Sequence, residues 1–114
     1  MIAPAEAGMV QVLWDANRTR VALSGAINET TTPAIYEAAR IVRALRLPLE
    51  IDARHVTVID PSGFAGFTRL VLSNKDAVKL LYPSPAICFM LRVSGLDEHA
   101  VIINQDELVD DKHP

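Results

Sequence analysis

The chain has 114 residues, of which 50% are hydrophobic and 22% are charged, and its formal net charge is −3. A chain of this length fits one domain with one core, and it contains no run of about 18 apolar residues that would insert into a membrane. Its slight negative charge offers no attraction for a phosphate backbone, so we expect no nucleic-acid partner.

The first residues and the single cysteine both favour an intracellular setting. The first eight residues lack the basic start and the apolar stretch of a secretory signal. Cys88 has no second cysteine to pair with and lies in an apolar run, so we expect a buried, reduced thiol. The predicted location is therefore cytoplasmic.

A β-hairpin is predicted at the start of the chain. Val10, Val12 and Trp14 alternate with polar neighbours, and a second alternating run extends from Val21 to Ile27. Residues 15–17 between the two runs are of the types that favour turns.

The first predicted helix begins at Thr32-Pro33, where a hydroxyl can cap the helix and proline fits its first position. Its apolar residues recur at helical spacing, and Pro48 prevents continuation. The apolar face is formed by Ile35, Ala38, Ala39, Val42 and Leu45, whereas Arg40, Arg43 and Arg46 are expected on the solvated face.

Two more helices begin with the same cap-plus-proline signal, at Asp60-Pro61 and at Ser84-Pro85, and the latter helix ends at Gly95. The strands between and after them are predicted at residues 49–52 with 56–59, at 78–82 and at 101–103. The order β-β-α-β-α-β-α-β predicts an α/β fold with helices packed on a mixed, largely parallel sheet. We place this domain at residues 9–103, between a flexible N-terminus (1–8) and an acidic, disordered tail (104–114).

Motifs that carry catalysis or bind metals are missing from the sequence. The three histidines have no paired spacing and no second cysteine exists, so no metal site is predicted. Gly63 and Gly66 do not have the spacing of a phosphate-binding loop, and they match the short G-x-x-G of a KH module without any basic residue. Ser62 does not lie in a G-x-S-x-G elbow. We therefore expect no enzyme activity, no catalytic residue and no cofactor.

The segment from Val56 to Phe64 is the most informative, because a buried apolar run ends at Asp60 and small residues then open a helix. A purely structural interpretation is that Asp60 caps the helix, Pro61 initiates it and Gly63 permits close packing. A functional interpretation is that the hydroxyl of Ser62 lies where a helix N-terminus tolerates a phosphate.

Three stretches of the sequence resemble the STAS family, which includes the bacterial anti-sigma factor antagonists. They are residues 21–28 with Thr31-Thr32-Pro33-Ala34, residues 59–64, and residues 91–97, in the order and spacing of that family. The resemblance implies a STAS fold and a switch. The unphosphorylated antagonist binds an anti-sigma factor, often a GHKL-type serine kinase, and phosphorylation of the residue after the motif aspartate ends that binding.

The chain departs from the family pattern at two positions. Pro61 follows the motif aspartate and has no hydroxyl, and Asn28 stands where family members usually carry aspartate at the end of the second strand. The resemblance predicts a partner-binding set of Asn28, Asp60, Pro61, Ser62 and Gly63. We favour the interpretation that the usual switch is lost; in the alternative, Ser62 is an offset phosphorylation site, about 100° around the helix axis.

Other possibilities remain open from the sequence. The apolar run from Ala86 to Leu91 is either deeply buried or partly offered to a partner. Small STAS proteins also serve as cytoplasmic accessory subunits of lipid-transport ABC complexes, which is the alternative function. A nucleotide-binding role is a third class, and the sequence leaves a homodimer open.

Overall fold

The computed structural model describes residues 7–104. The predicted flexible N-terminus and acidic tail, apart from Ala7, Gly8 and Asn104, lie outside these residues. The strands are β1 (Met9–Trp14), β2 (Thr19–Ile27), β3 (Leu49–Ile59), β4 (Val78–Leu81) and β5 (Ala100–Ile103). The helices are α1 (Thr32–Leu45), α2 (Pro61–Val71) and α3 (Pro85–Ser94), and a short 3₁₀ helix, Leu96–His99, precedes β5.

The strands form one five-stranded sheet in the order β1-β2-β3-β4-β5. β1 pairs with β2 in antiparallel orientation, and the other neighbours are parallel. The predicted α/β fold with a mixed, largely parallel sheet is therefore confirmed. Each crossover steps one strand in the same direction, and because such crossovers are right-handed, the three helices cover the same face of the sheet.

The core lies between that face and the helices. β2 supplies Val21, Leu23 and Ile27, which are buried, while the residues that alternate with them are partly exposed on the other face. α1 contributes the predicted apolar face except Leu45, which is only half-buried. The predicted solvated face is confirmed, since Arg40, Arg43 and Arg46 are exposed.

The helix starts follow the predicted chemistry at two of three positions. The Asp60 carboxylate accepts a hydrogen bond from the Gly63 amide at 2.8 Å, and the Ser84 hydroxyl accepts one from the Ile87 amide at 3.3 Å. The prediction for Thr32 is wrong, because Thr31 lies at the cap position and makes no side-chain cap. The Thr32 hydroxyl instead donates to the carbonyl of Asn28 in the preceding turn, at 3.1 Å.

The third predicted strand is confirmed, whereas the burial predicted for Cys88 is not. The strand region predicted at residues 49–52 with 56–59 is one continuous strand, β3, whose pairing with β2 shifts register twice. Cys88 is only half-buried rather than fully enclosed. The α3 run is not deeply buried either, since Ile87 and Leu91 face the core while Phe89 and Val93 remain 60% and 71% exposed.

Candidate partner-binding surface

The ends of β2 and β3 bring Asn28 and Asp60 to one edge of the sheet. The strands are parallel neighbours, with Ile27 paired to Ile59, so the residues that follow them emerge side by side. The Asp60 amide donates to the Ile27 carbonyl at 3.2 Å, which continues the pairing by one residue. Sequence reasoning placed these two residues on one surface, and the geometry agrees.

The first turn of α2 presents Pro61 and Ser62 to solvent. Asp60 lies at the cap with extended backbone angles, and its carbonyl accepts from the Phe64 amide at 2.8 Å. Pro61 is the first helical residue, where its missing N–H costs nothing. Both Pro61 and Ser62 are exposed, so the position that follows the aspartate is accessible. Because that position is a proline, it carries no hydroxyl.

Gly63 is buried and faces the interior of the protein, so it does not belong to the exposed part of the predicted contact set. A Cβ atom at this position would lie 1.9 Å from the Ile27 carbonyl oxygen and 2.5 Å from the carbonyl carbon. Only glycine allows α2 to approach the end of β2 this closely. Its role is therefore to position the helix start rather than to touch another molecule.

Asn28 shapes the turn between β2 and α1. Its side-chain oxygen accepts from the Thr30 amide at 2.9 Å, and its carbonyl accepts from the Thr31 amide at 3.0 Å. The buried hydroxyl of Thr31 donates to the Ala26 carbonyl at 3.0 Å and so ties the turn to the end of β2. An aspartate can accept the same turn hydrogen bond, so asparagine here changes the surface charge without changing the turn.

A shallow groove of about 450 Å³ lies between the N-terminal parts of α1 and α2. Its lining is largely apolar, and it is formed by Glu29, Thr32, Pro33, Tyr36, Ser62 and Ala65. Within residues 7–104 this lining includes no lysine or arginine. The exposed start of α2 therefore continues into a weakly charged depression on the protein surface.

A cation–π contact holds the two walls of the groove together. The Arg69 guanidinium carbon of α2 lies 4.8 Å from the centre of the Tyr36 ring of α1. Tyr36 remains 41% exposed, so its ring packs under Arg69 and still borders the groove. Sequence reasoning missed Tyr36 and Ala65, because only tertiary packing brings α1 beside α2.

A larger cavity of about 590 Å³ lies at the opposite ends of the same helices. Its lining includes Arg43, Arg46, Lys75 and Asp76, so it is more basic than the groove. It contains no residue of the predicted binding set. Across residues 7–104 there is no group of three or more histidine, cysteine, aspartate or glutamate residues that could hold a metal ion, and no helix is long and apolar enough to cross a membrane.

Comparisons with known proteins identify the fold. Neither the family models nor the curated proteins contain a significant match. Among solved structures, an anti-sigma factor antagonist from Mycobacterium paratuberculosis is 22% identical, with 91% of this chain and 93% of that chain covered and a TM-score of 0.71. The Bacillus cell fate determinant SpoIIAA in its phosphorylated form is 15% identical, with 94% and 100% covered and a TM-score of 0.66.

The unphosphorylated form of the anti-sigma factor antagonist SpoIIAA is also similar, at 17% identity, 92% and 95% coverage and a TM-score of 0.60. All three similarities extend over nearly the whole chain, so they concern the complete domain. The protein therefore has the fold of the anti-sigma factor antagonists, the STAS fold.

Proposed function

We propose that this protein is a regulatory binding module of the anti-sigma factor antagonist type, acting in the cytoplasm without catalysis. Its partner is an anti-sigma factor, such as a GHKL-type serine kinase, and the binding controls sigma-dependent transcription. The observation that carries the proposal is the exposed Pro61-Ser62 turn beside the groove between α1 and α2. The similarity in fold to anti-sigma factor antagonists supports it.

The chemistry of this surface suits a protein partner. The centres of protein interfaces are depleted of charge and enriched in aromatic residues. Tyr36, Pro33 and Ala65 offer apolar area in the groove, and Glu29 supplies a charge on the same lining. Asn28, which stands in place of the usual aspartate, removes one negative charge from this surface, so docking costs less desolvation of it.

Pro61 makes binding independent of phosphorylation at the position after the aspartate. Ser62 is the alternative acceptor, because its hydroxyl is exposed one residue further along α2. A phosphate there would add about −1.5 to −2 charges near the Asp60 carboxylate and on the groove that Glu29 also lines, and would weaken binding. Incubation with the cognate kinase and ATP distinguishes the two cases. Stoichiometric phosphate on the wild type, absent from Ser62→Ala, would overturn the phosphorylation-independent form of the proposal.

The test of function combines partner capture with a matched pair of variants. Ala65→Arg fills the groove, whereas Ala44→Arg places the same side chain on the exposed C-terminal part of α1. The protein captured from native lysate is purified and titrated with each variant by calorimetry. We expect Ala65→Arg to weaken binding more than about tenfold and Ala44→Arg to leave it unchanged.

The identity of the captured protein tests the regulatory role separately. A serine kinase or another anti-sigma factor supports the proposal. An ABC ATPase subunit would contradict it and favour the lipid-transport alternative. Equal binding by Ala65→Arg and Ala44→Arg would contradict the assignment of the groove, whichever partner is captured.

A further inference from the structure

β1 is an edge strand without the features that usually prevent edges from pairing. An edge strand is normally protected from pairing with another chain by charged side chains, proline, a β-bulge or a short length. β1 is six residues long, Met-Val-Gln-Val-Leu-Trp, and contains neither a charge nor a proline, and its pairing with β2 is free of register shifts. The opposite edge, β5, is four residues long. Within residues 7–104, β1 is therefore the edge that is open to another strand.

Large apolar side chains on β1 are left uncovered. Met9, Leu13 and Trp14 are 68%, 51% and 57% exposed. Met9, Gln11 and Leu13 lie on the sheet face that carries no helix, since they are paired with Ser24, Ala22 and Arg20 of β2. Val10 and Val12 point to the other face, where they pack against the core.

The sequence of β1 is complementary to itself in antiparallel orientation. Residues directly opposite each other in such a pair lie on the same face of the sheet. A two-fold axis at Gln11 brings Gln11 against its own copy, and Met9 against Leu13 of the second copy. Val10 then meets Val12, and Trp14 meets Gly8, which has no side chain.

The two neighbouring registers, centred on Val10 and on Val12, are less favourable, and the first would place Met9 against Gln11. An axis at Val12 would place Gln11 against Leu13 and Met9 against the charged Asp15, so polar and apolar groups would face each other. We propose that two copies of this chain pair through β1, antiparallel and centred on Gln11, to form a continuous ten-stranded sheet. Side-chain amide hydrogen bonds between the two Gln11 residues lie at the axis, flanked by apolar contacts. This dimer leaves the groove between α1 and α2 free for the proposed partner.

Sedimentation equilibrium of the whole chain tests the dimer. We expect twice the chain mass at high concentration and a blue shift in the fluorescence of Trp14, the only tryptophan, as the dimer forms. Gln11→Lys places two like charges opposite each other and should raise the dissociation constant more than about tenfold. Val101→Lys, which changes a half-exposed valine on the β5 edge, should leave it unchanged.

Cross-linking tests the register independently of any effect on folding. In a Cys88→Ser background, Gln11→Cys should form an intermolecular disulfide, because opposed residues are about 4.5–5.5 Å apart between Cα atoms. Val101→Cys should not. A monomer at about 1 mM, unchanged dimerisation of Gln11→Lys, or cross-linking by Val101→Cys but not by Gln11→Cys would overturn the proposal.

Discussion

Gly63→Ala is the substitution that tests most severely how α2 is positioned. Its Cβ would lie 1.9 Å from the Ile27 carbonyl oxygen, 2.5 Å from the carbonyl carbon and 3.0 Å from the Asn28 nitrogen. These are backbone atoms at the end of β2, so the clash cannot be relieved by rotating a side chain. Cβ atoms essentially never approach another atom within 3.0 Å, so α2 must move away from β2 by about 1.1 Å.

The cost of that movement follows from the contacts it disturbs. Extra methyl groups forced into a packed site typically cost about 1–3 kcal/mol, and the hydrogen bond between Asp60 and Ile27 is strained by the same shift. Alanine gains up to about 1 kcal/mol over glycine within a helix. Because the clash involves rigid backbone, we expect Gly63→Ala to lower the free energy of unfolding by about 1–2 kcal/mol.

Gly66→Ala is the matched control, since it lies in the same helix and gains the same helix propensity. The atoms nearest to its Cβ would be those of the Ile35 side chain, at 3.5 Å or more, which is ordinary van der Waals contact. Urea unfolding, followed by circular dichroism, should therefore show Gly66→Ala equal to the wild type or up to about 1 kcal/mol more stable. Equal stability of the two variants would refute the close approach of α2 to β2.

Substitutions at three other positions test local features of the fold by the same unfolding measurement. Asp60→Ala removes the α2 cap and should lower the free energy of unfolding by about 1 kcal/mol. Asp60→Asn retains a capping oxygen and should lower it less, and equal losses in the two variants would contradict the role of Asp60 as a cap. The buried hydroxyl of Thr19 has no hydrogen-bond partner among residues 7–104, so Thr19→Val should be neutral or stabilising by about 1 kcal/mol, and a clear loss would contradict this. The Asn17 and Arg18 amides lower the pKa of Asp15, so its ionised form stabilises the fold at neutral pH, and that contribution is lost as the pH falls through the lowered pKa. The stability difference between wild type and Asp15→Asn should therefore shrink below about pH 4, and a difference that grows in acid would contradict the sign.

The sequence predicted the fold well because its signals are local. Asp60-Pro61 and Ser84-Pro85 combine a capping oxygen with a residue pre-formed for the first turn, and both begin helices as expected. The alternating run of β2 also indicated which side chains face the core. The placement of Asn28 and Asp60 on one surface was implied only by the resemblance to the STAS family, and the parallel pairing of β2 with β3 brings the two residues together.

The parts that the sequence did not predict depend on tertiary contacts. The register shifts of β3 against β2 were not predicted, because they arise from the pairing between the two strands and not from the residue pattern of either strand alone. Thr32 was predicted as a cap, but its hydroxyl bonds to the Asn28 carbonyl within the preceding turn. The groove required knowledge that α1 packs beside α2, which brings Tyr36 close to Arg69.

A protein partner is proposed to dock on the start of α2 and the groove beside it. Amide chemical-shift mapping of the isotope-labelled chain, titrated with the captured and purified partner, measures this most directly. We predict that the perturbed amides cluster in residues 28–36 and 60–65, while those of α3 and β5 stay unchanged. Perturbations concentrated on α3 or around the basic cavity at Arg43 and Lys75, with the start of α2 unaffected, would contradict the account.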